Sequence, residues 1–323
     1  MAHEIMENDN MFSVDTIPWH GLGTILDKPP SVIEAIQAAN LDWEVDLLPL
    51  LARTAPKDSP MTRLIELPER AVRRTDTGEI FSIVGPTWTP LQNREAFGVF
   101  EPLVESEDLL LETAGSLKNG RRVWVLARIN ADSADIGPGD EVKPYVLLSN
   151  AHDGTMAARL GFTPIRVVCN NTLSYVESSE RSQLVRVIHT PKVYENIKAL
   201  RDMMDLTKAA FAASVEQYRW LASRDIVQGD LERYVKIVLN PKDAEAGVAA
   251  LTRTEGKVIE LFESGRGHNL PKAKSWWGAY NSVTEFLSWV RGNSAENRIN
   301  SLWFADGYRI NERALETALK MAA

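Results

Sequence analysis

The chain has 323 residues, of which 44% are hydrophobic and 25% charged, and its 36 Lys+Arg against 44 Asp+Glu give a formal net charge of −8. These proportions are globular, exclude a disordered or collagen-like chain, and suit two domains or one large elaborated one. One cysteine, Cys169, excludes an internal disulfide framework and any multi-cysteine metal site, and it fits a reducing compartment.

The first ten residues are polar and acidic, which is not the pattern of a secretory signal. No window approaches the roughly 18–20 uninterrupted apolar residues of a membrane span. Ser31 followed by Glu34 reads as a capping box, with Ile33, Ile36 and Ala39 at helical spacing behind it. Residues 70–84 form a hairpin about Asp76-Thr77-Gly78, and Asn93 is placed as the cap of a short helix over 94–105. Residues 109–117 and 121–129 are two strands joined by Lys118-Asn119-Gly120, because Asn-Gly tolerates the positive φ of a tight hairpin. Strands over 142–150 and 156–162 follow, turned at His152-Asp153-Gly154, while 164–175 is open between buried strand and helix. After Pro191, Tyr194, Ile197, Leu200, Met204, Phe211, Val215, Tyr218 and Leu221 mark one long amphipathic helix. Further helices are expected at 231–239, 243–262, 275–290 and 312–321. The predicted fold is α+β: a central antiparallel β-meander with hairpins, packed on a long helix and a C-terminal helical region. Residues 1–190 form the mixed part and 191–323 the mainly helical part.

Charge is unevenly spread over this plan. Residues 1–114 hold 8 Lys+Arg and 20 Asp+Glu, a charge of −12, whereas 115–190 and 191–323 carry +2 each. A polar or nucleic-acid partner for the later part is the corresponding expectation.

The search for enzyme motifs returns no dinucleotide fingerprint, phosphate-binding loop or nucleophile elbow. The five histidines are scattered, with no i, i+4 pair for zinc. His152 and Asp153 could serve a metal-dependent enzyme, but a hairpin tip is the preferred reading of His152-Asp153-Gly154. Cys169 sits in an apolar run and reads as a buried thiol rather than a nucleophile. Trp19-His20-Gly21-Leu22-Gly23 reads as a packed loop. No cofactor is expected.

Strand phase is more informative. Arg122, Trp124 and Arg128 alternate against Val123, Val125, Ala127 and Ile129, while Lys143 shares a face with Tyr145. Adding Arg159 from the next strand and Arg166 after it gives one basic, aromatic-bearing sheet face. Cations tracking phosphates beside rings that stack on bases are the chemistry of single-strand binding. The competing reading is a solvated face, or one covered by the C-terminal helices. A second basic patch comprises Arg266, His268, Lys272 and Lys274, running into Trp276 and Trp277, whose rings are read as core.

The motifs IPWHGLGT (17–24), TWTPLQNREAF (87–97), LLSNAHDGT (147–155), FTPIRVVCNNTL (162–173), RVIHT (186–190), WWGAYNSVTEFL (276–287) and SLWF (301–304) resemble, in order, the phage/plasmid-like proteins grouped under a domain of unknown function. The resemblance implies a phage, prophage or plasmid protein working in the bacterial cytoplasm. It marks Asn93, His152, Asp153, Arg166, Cys169 and Asn170 as family-like without giving any of them a role. The functional expectation is a non-enzymatic protein that binds single-stranded DNA without ATP in recombination or replication, similar in layout to single-strand annealing proteins. Its expected partners are single-stranded DNA, further copies in a ring or filament, and a phage exonuclease or host single-strand-binding protein. The alternative is an acidic interaction protein that modulates a host protein through residues 1–114.

Overall fold

The computed structural model describes residues 11–14, 23–55, 62–130, 133–166, 171–172, 185–187, 189–190, 204–292, 298, 301–302 and 306–323. Two short strands, β1 (Met11–Val14) and β2 (Thr24–Leu26), lead to helix α1 (Val32–Ala38), which carries the Ser31–Glu34 capping box. A three-stranded sheet follows: β3 (Val45–Thr54), β4 (Arg63–Arg74) and β5 (Ile80–Val84), in that order and antiparallel. The β4–β5 turn falls at Asp76-Thr77-Gly78, and Gly78 supplies the positive φ of 74°. The β3–β4 ribbon is not signalled in the sequence by any two-residue turn.

The expected helix over 94–105 is two pieces, α2 (Asn93–Gly98) and α3 (Glu101–Glu105). Gly98, Pro102 and poor helix formers between them break the run. Gln92, not Asn93, is the N-cap residue of α2. The main sheet then forms from β6 (Leu109–Leu117), β7 (Arg122–Ile129), β8 (Ala134–Gly137), β9 (Asp140–Ala151), β10 (Ala158–Arg166), β11 (Asn171–Thr172) and β12 (Val185–Val187). Its order is β11-β10-β9-β7-β6-β1-β2, with β12 on β10 and β8 on β9. Lys118, Asn119 and Gly120 at the β6–β7 turn all have positive φ, at 57°, 59° and 91°. Only β1–β2 is parallel among the described pairs.

The remaining elements are α4 (Met204–Ala222), α5 (Gln228–Leu239), α6 (Pro241–Glu245), α7 (Arg253–Ser264), α8 (Trp276–Glu285), a π-helical turn (Phe286–Val290) and α9 (Asp306–Ala322). The single helix expected over 243–262 is divided because Gly247 turns left-handed after α6 and Thr252 starts α7 with its own capping box. The expected helix start at Pro191 lies outside the described residues.

Both faces of the main sheet are buried. Val123, Val125, Ala127, Val146, Leu148 and Phe162 pack under α1, α2 and the small sheet. The opposite face, with Trp124, Leu126, Tyr145 and Leu147, packs under α4, α5, α7, α8 and α9. The chain is thus an α+β protein whose central sheet is covered by two chemically different layers.

Candidate functional site

Cross-strand register places the expected basic–aromatic residues together. Trp124 and Arg159 both lie opposite Ser149, Arg128 lies opposite Tyr145, and Arg122 opposite Ala151, so the side chains share one sheet face with Lys143. That face is not open. Trp124 is 1% exposed and Tyr145 7%, both within the core formed with the C-terminal helices. The Tyr145 hydroxyl donates to Glu112 at 2.6 Å, and Arg128 donates to the same carboxylate. Burial, then the charge of Glu112, pushes the Tyr145 phenol upward. The reading of Trp124 and Tyr145 as base-stacking rings is therefore corrected: a ring packed under a helix has no free π-face. Arg122, Arg128, Lys143 and Arg159 are half-buried at the margins of the same face. Arg166 pairs with Val142 through its backbone, and its side chain lies outside the described residues.

The second basic patch is exposed. Arg266, His268, Lys272 and Lys274 all face solvent on the loop between α7 and α8, while Trp276 and Trp277 are core. The α4–α5 loop lies alongside it: Ile226 N–H donates to the Lys274 carbonyl at 3.3 Å, and Trp276 N–H to the Arg224 carbonyl at 2.9 Å. Two further exposed cations, Arg219 and Arg224, thereby join the patch. Half-exposed indoles sit beneath the cations, with Arg224 5.2 Å from the Trp220 ring and Arg266 3.5 Å from the Trp289 ring. Lys274 pairs with Glu263, and Arg219 with Glu216. Sequence reading missed Arg219, Trp220 and Arg224. The signal was present, since Arg219 and Trp220 fall outside the Val215, Tyr218, Leu221 stripe of α4 and Arg224 follows just past its end.

The family-like motif residues converge elsewhere, at the end of β9. His152 Nε2 donates to Asn93 Oδ1 at 2.9 Å, and Asn93 Nδ2 donates in turn to the Leu41 carbonyl at 3.0 Å, which fixes the amide orientation. Asn150 donates to the Leu91 carbonyl at 3.1 Å, and His189 Nδ1 to the Thr89 carbonyl at 3.1 Å. Residues 89, 91 and 93 are thus each held by one polar side chain of the sheet or of the segment at His189. Gln92, facing the other way, both accepts from and donates to the Val45 backbone. His189 stacks on Trp88 at 4.9 Å, and Trp43 meets His152 edge-on at 5.2 Å. Burial, then the neighbouring His189 and Arg74, lowers the His152 pKa to about 3. The turn after it is closed by Asp153, which accepts from Thr155 N–H at 3.1 Å. His152 and Asp153 are therefore occupied as a brace and a turn. Among the described residues no group of three or more His, Cys, Asp and Glu is placed to hold a metal ion. Cys169, Asn170 and the Trp19-His20 motif lie outside the described residues.

Among the described residues no helix is long and apolar enough to cross a membrane. Residues 80–304 match a family described as a domain of unknown function, DUF932, and the chain belongs to that family. No curated protein and no solved structure matches it.

Proposed function

We propose that this member of the DUF932 family is a protein of a phage, prophage or plasmid that binds single-stranded DNA without ATP in the bacterial cytoplasm, as part of recombination or replication. The observation that carries the proposal is the exposed ridge on the helical layer, where Arg219, Arg224, Arg266, His268, Lys272 and Lys274 surround the half-exposed rings of Trp220 and Trp289. Cations that track phosphates beside rings that stack on bases need no sequence readout and no nucleotide hydrolysis. The binding surface is thus moved from the sheet face to the helices above it. Glu216 and Glu263, already paired with Arg219 and Lys274, make phosphate binding an exchange of one ion pair for another. Such binding weakens steeply with salt.

A polarisation titration with a labelled single-stranded oligonucleotide tests the reading. Binding at low salt that weakens as salt rises, and that drops at least tenfold in Arg224→Glu/Lys272→Glu, supports it. Lack of binding by the parent protein at low salt overturns it. A parent that binds while the double variant binds equally well moves the site off this ridge. A phage exonuclease or a host single-strand-binding protein is the partner to try next.

A further inference from the structure

Where the loop between α7 and α8 closes onto α8 it leaves a small cavity, lined by the side chains of His268, Asn281, Ser282 and Glu285. Two glycines let the backbone close this tightly. A Cβ on Gly265 would stand 2.4 Å from the Leu261 carbonyl oxygen and 2.7 Å from Glu285 Oε2, and one on Gly278 would stand 1.8 Å from the Ala273 carbonyl oxygen. Asn281 is 3% exposed, and Ser282 and Glu285 are buried as well. The cavity measures about 10 Å³ by the centre of a water-sized sphere, which is room for one occupant of that size.

These four side chains use their hydrogens elsewhere. Asn281 Nδ2 donates to the Trp277 carbonyl at 2.8 Å, which fixes the amide orientation and leaves the buried Oδ1 with no hydrogen-bond partner. Ser282 Oγ donates to the Ala279 carbonyl at 2.8 Å. His268 Nδ1 donates to the Gly265 carbonyl at 2.8 Å, so Nε2 of the neutral ring carries a lone pair. The Glu285 carboxylate, an acceptor only, takes the Arg266 N–H at 2.9 Å. Arg266 also borders the cavity, but its guanidinium lies over the Trp289 ring at 3.5 Å, and Lys274 on the same loop pairs with Glu263. The cavity side chains thus offer lone pairs and no hydrogens. A water would bring lone pairs of its own into such a space. An ammonium ion brings hydrogens alone, and a bare potassium ion takes oxygen lone pairs in place of its hydration shell. Magnesium keeps several waters in an octahedron, which a cavity of one-water size does not admit.

We propose that this cavity binds one small monovalent cation, potassium or ammonium, held by Asn281 Oδ1 together with the Ser282 hydroxyl and the Glu285 carboxylate. The bound ion ties the loop that carries Arg266 and His268 to α8. The inference does not depend on nucleic-acid binding and is tested without it.

Thermal unfolding and hydrogen exchange of the full chain are compared in potassium, ammonium and choline chloride at one ionic strength, so that screening stays constant. Choline carries the same charge and is too large for the cavity. Potassium or ammonium is expected to raise Tm over choline by about 2 °C or more, saturably, and to slow exchange at residues 265–268. Asn281→Leu removes the orphaned oxygen at similar volume, and it is expected to abolish both differences while the protein stays folded in choline. Ser282→Ala is expected to weaken them, and it carries the test if the leucine variant does not fold. An effect of ammonium alone supports an ion held by hydrogen bonds, and an effect of potassium supports a bare ion held by oxygen. Equal Tm and equal exchange in all three salts leave the cavity to a water and overturn the proposal. An effect that survives both variants unchanged overturns it equally, because the cation then binds elsewhere.

Discussion

The two layers that cover the central sheet are attached by different chemistry. The C-terminal helices hold their face through rings: Tyr218, Tyr234, Trp276, Trp277 and Tyr280 are buried together, with Tyr218 and Trp277 at 4.8 Å and Tyr234 and Trp276 at 5.7 Å. Polar bonds also span the seam, from Trp277 Nε1 to Asp140 Oδ2 at 2.8 Å and, at its margin, from Arg219 Nε to the Asp135 carbonyl at 3.1 Å. The N-terminal layer has an apolar core as well, but its edge is fastened by directional hydrogen bonds from His152, Asn150 and His189 to one short segment, whose Gln92 bonds in turn to the Val45 backbone. Ring packing contributes large, non-directional free energy that tolerates small shifts. Buried hydrogen bonds add little net stability each, yet losing one partner leaves a costly orphan. Both layers bury a large apolar cluster against the sheet, and the polar brace adds position to the N-terminal one.

The largest expected effect breaks the aromatic seam. Trp277→Ala removes a fully buried ring and the N–H that serves the buried Asp140. Buried aromatic truncations cost about 3–5 kcal/mol. Chemical denaturation is expected to show a loss of that size, with tryptophan fluorescence changing in the native baseline. A loss under about 1 kcal/mol would contradict the burial of this seam. Asn93→Ala comes next, because it strands the His152 N–H and the Leu41 carbonyl in a site without water access. A loss of about 2–3 kcal/mol is expected from two orphaned groups. Hydrogen exchange should accelerate around residues 88–93 while α8 stays protected.

How much of this could be read beforehand follows from the range of each interaction. The β6–β7 turn was legible because Asn119-Gly120 carries its conformation in two residues, and Ser31–Glu34 because a capping box is complete within four. Strand phase correctly grouped Arg122, Trp124, Arg128, Lys143, Tyr145 and Arg159 on one face. It could not report what lies above them, since the cover comes from helices far later in the chain, between Met204 and Ala322. A strand buried on both faces still alternates when a few cations snorkel out at its margins. The β3–β4 ribbon was illegible for the opposite reason. Its long connection has no turn signature, and its outer face is apolar where period-two reading expects polar residues. Asn93 misled as a cap because its residue type is right for a helix start, while its side chain is engaged by His152, 59 residues away.

Acidification should separate the two layers without mutation. The folded His152 pKa, about 3, lies below the ordinary imidazole value of 6.5, so below pH 6.5 the unfolded chain takes up a proton that the folded chain refuses. His189 is lowered by burial in the same direction. Stability contributed by these neutral imidazoles is present above pH 6.5 and is lost as pH falls toward 3. Between pH 7 and 5 the loss from His152 is on the order of 2 kcal/mol. Carboxylates held down by their bonds to arginine, Asp46 to Arg73 and Asp76 to Arg74, act in a lower window, below about pH 4. In His152→Gln the decline between pH 6.5 and 5 should flatten, and an unchanged slope would place the acid sensitivity elsewhere.

The smallest expected effect compares one motif in both layers. Ser31–Glu34 caps α1 in the open, whereas Thr252–Glu255 caps α7 with Glu255 fully buried and also accepting from Asn240 at 2.7 Å. Capping losses run about 0.5–2 kcal/mol. Ser31→Ala is expected near the lower end, because water replaces the hydroxyl at the freed N–H. Thr252→Ala is expected near the upper end, because the Glu255 carboxylate loses one of the contacts that hold it in place inside the helical layer. Equal losses by urea denaturation would mean that burial does not distinguish the two caps. The contrast between a solvated N-terminal margin and a dry helical layer would then fail at this point as well.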